Sequence, residues 1–178
     1  MEKRKFTISI FSEDRIGLLH SVTIIFTRRK LNIDSLNSSE SETKGVFRFT
    51  LVLTTDLETA KKVRKQINKL VDVIGAFLQE DDEVIHREIA LYKIATASFY
   101  DGNEVEQLLR HHSARIIRVE KEYLVIEKTG WKEETQQLLL DLEPFGVIEF
   151  IRSGRIAISK DWTNTHTEVT KYEQHYND

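Results

Sequence analysis

Hydrophobic and polar residues alternate near the start of the chain and then change to a helical spacing. Over residues 6–10, Phe and Ile alternate with Thr and Ser, which predicts a strand with one buried face. Apolar residues then recur every three or four positions over residues 18–26, which predicts a helix. Residues 12–17 between them read Ser-Glu-Asp-Arg-Ile-Gly and favour a turn. The sequence therefore predicts a strand that passes into a helix through a short loop.

This loop is a candidate site for an anion. The first backbone N–H groups of a helix have no partner within the helix, and the helix dipole favours negative charge beside them. A carboxylate would suit the position above Gly17. The alternative is that Gly17 only lets the helix and the strand approach each other closely. This stretch alone leaves both interpretations open.

Further strand and helix patterns fill the rest of a first domain, predicted over residues 1–78. They are a polar edge strand over 33–39, a hairpin turn at 43–45, a strand over 47–53, a helix opened by a capping box at 55–58, and a strand over 73–78. The resulting order is strand, helix, strand, strand, helix, strand. This order is the split βαβ pattern of ferredoxin-like domains.

The same order of elements returns, loosely, in a second domain predicted over residues 86–160. Between the domains, the acidic residues of 79–85 predict a solvated linker, although such a run could also dock on a basic surface. Residues 161–178 lack periodicity and predict a mobile tail. The predicted fold class is therefore α+β, with two tandem ferredoxin-like βαββαβ domains.

Composition and charge exclude several classes of protein. The chain has 178 residues, 40% hydrophobic and 31% charged, with a net charge of −3, which does not suit a general polyanion binder. It has no cysteine, which excludes disulfides and thiolate metal sites. It shows no signal peptide and no apolar run near the roughly 18 residues of a membrane span. We therefore expect a cytoplasmic protein with no membrane partner.

The sequence offers no constellation that would support catalysis. None of the six histidines falls in the helical zinc signature, and the chain has neither a glycine-rich phosphate loop nor a nucleophile elbow. Nucleic-acid binding by such a domain needs exposed aromatic residues on the central strands. Phe47 and Phe49 share their face with Leu51 and Leu53, which indicates core. We predict no catalytic residue, no metal site and no nucleic-acid partner.

Several stretches resemble a known family. The loop Asp14–Leu19 and the segment Asn32–Leu36 resemble an ACT domain, a small-molecule sensor that usually binds amino acids. Lys69–Val73, His86–Ile94 and Arg152–Gly154 look like the regulatory (small) subunit of acetolactate synthase, also called acetohydroxyacid synthase. The resemblance covers roughly residues 4–160.

The resemblance implies a function. A small subunit of this kind is not catalytic and carries no cofactor. It associates with a catalytic subunit that uses thiamine diphosphate, Mg²⁺ and usually FAD in branched-chain amino-acid synthesis. It raises the activity of that subunit and confers feedback inhibition by a branched-chain amino acid, typically valine. This chain has Asp14 and Ile16 where valine-sensing members commonly carry Asn and Ser.

The resemblance also assigns an effector site and a homodimer through residues 1–78. The expected effector-binding residues are Asp14, Ile16, Gly17, Leu18, Leu19, Asn32, Ile33 and Leu36. Asp14 follows the first strand and Asn32 precedes the second, which runs parallel to the first, so the two residues lie at opposite ends of one sheet. A single amino acid cannot span a strand of about 17 Å. We therefore expect two chains to share each site.

Two alternatives stay open from the sequence. The chain could be a stand-alone ACT-type sensor that regulates another enzyme or a transcription system. It could also be a small ferredoxin-like enzyme such as an isomerase, which turnover by the isolated chain would reveal.

Overall fold

Strands and helices alternate in a computed structural model that describes residues 2–97 and 103–161. The first half contains β1 (Arg4–Glu13), α1 (Leu18–Arg28), β2 (Ser35–Glu40), β3 (Val46–Thr55), α2 (Leu57–Ile67) and β4 (Val73–Glu80). The second half contains β5 (Val84–Ala95), α3 (Glu104–His111), β6 (Arg115–Val119), β7 (Tyr123–Gly130), α4 (Lys132–Leu142), β8 (Val147–Arg152) and β9 (Ile156–Ser159).

The strands form two antiparallel sheets with orders β2-β3-β1-β4 and β6-β7-β5-β8. Each order is that of a ferredoxin-like unit, which confirms the predicted fold class. Within the described residues, no helix has the length and apolar character needed to cross a membrane. The predicted tail, 161–178, lies outside the described residues except for Asp161.

Contacts divide the chain into two units. Among the described residues, those within Arg87–Gly154 form one unit, and residues 2–86 together with 155–161 form the other. The structure shows regular elements at two of the predicted boundaries. Residues 79–85 hold the end of β4, a 3₁₀ turn over Asp81–Glu83 and the start of β5, where the sequence predicts a linker. Residues 155–160, predicted as part of the second domain, group with the first unit by contacts, while β9 within them pairs with β5.

The core of the first unit lies between its sheet and its two helices. Alternation along β1 and β3 directs Phe6, Ile8 and Leu51 inward, where they are fully buried. The helical spacing of Val22 and Phe26 on α1, and of Ala60, Val63 and Ile67 on α2, completes this core. The N-cap of α2 is Asp56, which accepts from the Thr59 N–H at 3.0 Å and from its hydroxyl at 2.7 Å. These bonds lower the pKa of Asp56, and Asp56 takes the capping role that the sequence assigns to Thr55 and Glu58.

The second unit is built in the same way. Ala90, Tyr92 and Ile94 of β5 pack with Leu124 and Ile126 of β7 against the buried residues of α3 and α4. The Tyr92 hydroxyl donates to the Thr135 carbonyl at 2.7 Å, which satisfies the one polar atom of this large core side chain. Burial raises the pKa of Tyr92 above its usual range.

The outer face of the first sheet is also buried, whereas the sequence predicts one buried face. Thr7 is 0% exposed, and Ser9 and Gln79 are buried beside it. Residues 155–161, which we call the return segment, lie on this face: Arg155 donates to the Thr7 hydroxyl at 3.1 Å and forms an ion pair of 2.6 Å with Asp81. Because alternation identifies a face but not what covers it, the sequence pattern could not reveal this cover.

Two further contacts fix the return segment. The guanidinium of Arg48 donates to the Ala157 carbonyl, and burial lowers the pKa of Arg48. The strand β9 pairs with β5. Lys160 then donates its backbone N–H to the Glu83 carbonyl at 2.9 Å. The return segment is therefore held by Arg48 and Glu83 of the first unit and by the pairing of β9 with β5.

Candidate effector site

The loop between β1 and α1 is held by two neighbouring turns. The Glu13 N–H donates to the Asp72 carbonyl at 3.0 Å, in the turn between α2 and β4. The Asp14 N–H donates to the Gly45 carbonyl at 3.2 Å, in the hairpin between β2 and β3. Both bonds fix the backbone at the point where β1 ends. The loop therefore has a defined position at this end of the sheet.

Gly17 is the N-cap of α1 and adopts a left-handed backbone conformation, with φ of +91°. Only glycine takes this conformation without strain. Its carbonyl accepts from the Ser21 N–H at 3.0 Å, which is the first hydrogen bond of the helix. Apart from Gly17 and its two neighbours in the chain, no atom of the described residues lies within 4 Å of the position that a Cβ on Gly17 would occupy, so the space beside the helix terminus is open. The alternative in which Gly17 serves only close packing therefore has no support from its surroundings.

Leu18 offers only its backbone to this loop. Its side chain is 4% exposed and belongs to the core of the first unit. Its N–H donates to the Arg15 carbonyl at 3.4 Å, a length at which a hydrogen bond is weak. A bound carboxylate can take the place of such an acceptor. Ile16 and Leu19 instead direct their side chains to solvent, and Ile16 is fully exposed.

Charges of both signs surround the helix terminus. Asp14 is exposed, and Arg15 forms an ion pair of 3.0 Å with Glu13. The N-terminal N–H groups of α1 favour an anion, and the Asp14 carboxylate favours a cation. Together they suit a small zwitterion, with its carboxylate toward the helix and its ammonium group toward Asp14.

Ser12 is a residue of this region that sequence reasoning missed. Its side chain is fully buried, and its hydroxyl has no hydrogen-bond partner among the described residues. It continues the core-facing series of Phe6, Ile8 and Ile10 immediately before the loop. A polar residue at a core-facing position was the signal available in the sequence, because buried hydroxyl groups are normally paired.

The other predicted site residues lie at the opposite end of the sheet. Val52 pairs with Thr7 on one side and with Ser35 on the other, so Ser35 is level with the start of β1. From Thr7 to Glu13 the strand extends about 20 Å. Asn32 precedes Ser35 and is exposed, whereas Ile33 and Leu36 are half-buried against the core. Within one chain, the structure does not bring these three residues to the loop.

No group of three His, Asp or Glu side chains in the described part of the chain could hold a metal ion.

Comparisons with known proteins identify the family. The AHAS small subunit-like ACT domain matches residues 8–75, and the family described as the small subunit of acetolactate synthase matches residues 87–161. The acetolactate synthase small subunit of Mycolicibacterium smegmatis is 36% identical over 154 residues, which cover 86% of this chain and 90% of that protein. The chain belongs to the acetolactate synthase small-subunit family. The resemblance found in the sequence is thus confirmed.

Other small subunits agree over the same length. That of Bacillus subtilis is 30% identical over 159 residues, 89% of this chain and 91% of the relative. The crystal structure of the small subunit from Thermotoga maritima superposes with a TM-score of 0.80 at 29% identity, and the match covers 89% of this chain and 98% of that one. The acetolactate synthase small-subunit family therefore accounts for both units of the chain.

Proposed function

We propose that this chain is the regulatory subunit of acetolactate synthase. In this role it binds the thiamine-dependent catalytic subunit, raises the activity of that subunit and makes it sensitive to a branched-chain amino acid, with valine as the first candidate. The family of the chain supports this role. The match over residues 87–161 favours it over a stand-alone ACT sensor, because that match lies outside the ACT domain.

The proposed binding of an amino-acid effector rests on the open helix terminus at Gly17. A free amino acid offers one carboxylate and one ammonium group a few ångströms apart. The loop offers N–H donors at the start of α1 and the exposed carboxylate of Asp14. The geometry of Gly17 supports this mode of binding, since no side chain fills the space beside it.

The second half of the site comes from another chain. Asn32 lies about 20 Å along the sheet from the loop, a distance that no free amino acid spans. A two-fold axis that sets two first units side by side would bring opposite ends of their sheets together. Asn32, Ile33 and Leu36 of one chain would then face the loop of its partner. The aliphatic side chains of Ile33 and Leu36 suit a branched apolar side chain on the ligand.

The proposal is tested by combining calorimetry with enzyme assays. The purified chain is titrated with valine, leucine, isoleucine and, as a control with a charged side chain, glutamate. We expect at least one branched-chain amino acid to bind and glutamate not to bind. We also expect no acetolactate from the chain alone, and a higher rate when the chain is added to the catalytic subunit of the same organism.

Two results would contradict the proposal. Acetolactate formation by this chain without a catalytic subunit would assign it a catalytic role. Failure of the chain either to bind the catalytic subunit or to change its activity would remove the regulatory role, whatever amino acid the chain binds.

A further inference from the structure

Positive charge is concentrated on the helices of the first unit. Residues 28–30 and 57–70 hold eight Lys or Arg residues and a single acidic residue, Glu58, although the chain as a whole carries a net charge of −3. The two helices contact each other, and Arg29 donates to Gln66 across them at 2.7 Å. We call the exposed cations of this layer the cationic surface; they are Arg28, Lys30, Lys61, Lys62, Lys65 and Lys69.

The cations of α2 form a stripe that faces away from the core. Buried residues of this helix recur at Ala60, Val63 and Ile67. Lys62, Lys65 and Lys69 repeat the same spacing two residues further on, with Lys69 in the turn that follows the helix. Two residues correspond to about 200° of helix rotation, so the stripe lies on the solvent side. The fold therefore directs these ammonium groups outward together.

The lysines of this stripe lack carboxylate partners, as most lysines of the described residues do, whereas most arginines of the second unit are paired. Within the described residues, no acidic side chain forms a salt bridge with Lys62, Lys65 or Lys69, and only Lys61 approaches Glu58, at 3.9 Å. In the second unit most arginines are paired. These pairs are Arg110 with Glu106, Arg115 with Glu127, Arg118 with Glu120, and Arg152 with Glu88.

Local helix energetics account for only part of this surface. Cations in the last turn of α2 complement the helix dipole, which explains Arg64 and Lys65. Lys61 lies one turn before Lys65, and like charges at this spacing destabilise a helix. Val71, two residues beyond Lys69, is 98% exposed, so an apolar side chain protrudes beside the cations. An apolar contact bordered by charge is the usual composition of a protein interface.

We propose that the cationic surface is the docking site for an acidic surface of the acetolactate synthase catalytic subunit, with Val71 as an apolar contact at its edge. This inference rests on the proposed function, and adds to it the surface of this chain and the charge of the partner's surface. Complementary charge of this kind chiefly accelerates association and selects the partner. The stripe lies on the solvent side of α2, opposite the residues that this helix buries against the sheet.

A protein partner fits the surface better than a nucleic acid does. A phosphate backbone is a long polyanion, and the chain outside the cationic surface is acidic and would repel it. Residues 28–30 and 57–70, which carry the cationic surface, also contain no Phe, Tyr or Trp on which bases could stack. A compact acidic patch on a protein needs neither feature.

The test compares two triple variants of the full-length chain. One carries Lys62→Glu, Lys65→Glu and Lys69→Glu. The control carries Lys3→Glu, Lys121→Glu and Lys132→Glu, three exposed lysines outside the cationic surface, so the change in net charge is the same. Association with the immobilised catalytic subunit is measured at about 50 mM and about 300 mM salt, where screening differs strongly.

We expect the wild-type association rate to fall about tenfold from low to high salt. The first variant should associate about tenfold more slowly than wild type at low salt and show little dependence on salt. The control should stay within about twofold of wild type. A second variant with Gln at 62, 65 and 69 removes the positive charge without adding negative charge and keeps good helix formers. It should associate more slowly than wild type, by a smaller factor than the Glu variant, and circular dichroism checks that α2 is intact in both.

Three outcomes would overturn the inference. Equal effects of the two triple variants would assign the change to net charge. Wild-type binding that does not depend on salt would exclude electrostatic docking. So would a result in which the Lys62, Lys65 and Lys69 variant loses binding to a DNA oligonucleotide but binds the catalytic subunit as wild type does. If wild type does not bind the catalytic subunit at all, the proposed function fails first, and this result is distinct from the other three.

Discussion

At the residue scale, Gly17 combines two properties that bear on ligand binding. Its φ of +91° strains any other residue, yet the space where a side chain would begin is empty. A substitution there therefore meets no neighbouring atom, and its cost is confined to the backbone, about 1–2 kcal/mol for most residues. A charged side chain can therefore be introduced at position 17 without disturbing the core.

Replacing Gly17 with aspartate is expected to abolish effector binding and to leave the fold intact. The new carboxylate would repel the carboxylate of the ligand and occupy the helix terminus in its place. Gly146→Asp is the matched control, since Gly146 also has a positive φ, +75°, and open space around it. Calorimetry measures affinity, and circular dichroism measures helix content. Unchanged affinity in the Gly17 variant would remove the loop from the site.

The sequence predicts some of these residues and not others for a physical reason. Gly17 is recognisable because a turn-forming stretch lies between a strand pattern and a helix pattern. Arg155 is not recognisable, because its partners Thr7 and Asp81 are distant in the sequence and one charged residue in a polar turn has no periodic signature. Local patterns locate a residue on an element but do not give its partner.

At the scale of elements, the return segment stabilises the outer face of the first sheet. Arg155 is 4% exposed and bridges Thr7 of β1 to Asp81, while Arg48 of β3 holds the Ala157 carbonyl. Alternation predicts the first strand and the strand over 47–53, because it depends only on neighbouring residues. The sequence assigns residues 155–160 to the second domain because they follow β8 directly in the chain, and it has no local signal for the contacts that these residues make with Thr7, Arg48 and Asp81.

Replacing Arg155 with leucine is expected to destabilise the protein by about 1–3 kcal/mol, since a buried hydroxyl and a half-exposed carboxylate lose their partner. Arg4→Leu is the control: Arg4 also pairs with a carboxylate, Glu80, at 3.1 Å, but is half-exposed. We expect that exposed pair to contribute less than about 1 kcal/mol. Thermal unfolding of both variants provides the comparison. Equal melting temperatures of the two variants would show that the buried contacts of Arg155 add no more stability than an exposed ion pair.

At the scale of the whole molecule, the proposed effector site, shared by two chains, would make binding a property of the dimer. The sheet register separates Asn32 from the loop by about 20 Å within each chain. An effector that bridges two chains stabilises their association by mass action. Sedimentation at micromolar protein should therefore show a larger dimer fraction when the effector is present.

Mixing two inactive variants provides a sharper test of the shared site. Gly17→Asp disables the loop, and Asn32→Ala disables the opposite end of the sheet. In a mixed dimer, one site combines both defects and the other combines an intact loop with an intact Asn32. Random mixing should restore about a quarter of the wild-type sites, because half the dimers are mixed and one of their two sites is intact. If each chain held its own complete site, the mixture would bind nothing.

The return segment also determines the order in which the molecule can be completed during synthesis. The chain leaves the first unit at Arg87 and comes back to it at Arg155, so the whole second unit is translated in between. A ribosome delivers the N-terminal end first, and domains generally fold as they emerge. The second unit is continuous in sequence and is complete as soon as it emerges. The first unit begins to fold earlier but stays unfinished on the ribosome until Arg155 reaches Thr7, so the part of the protein that is made first is completed last.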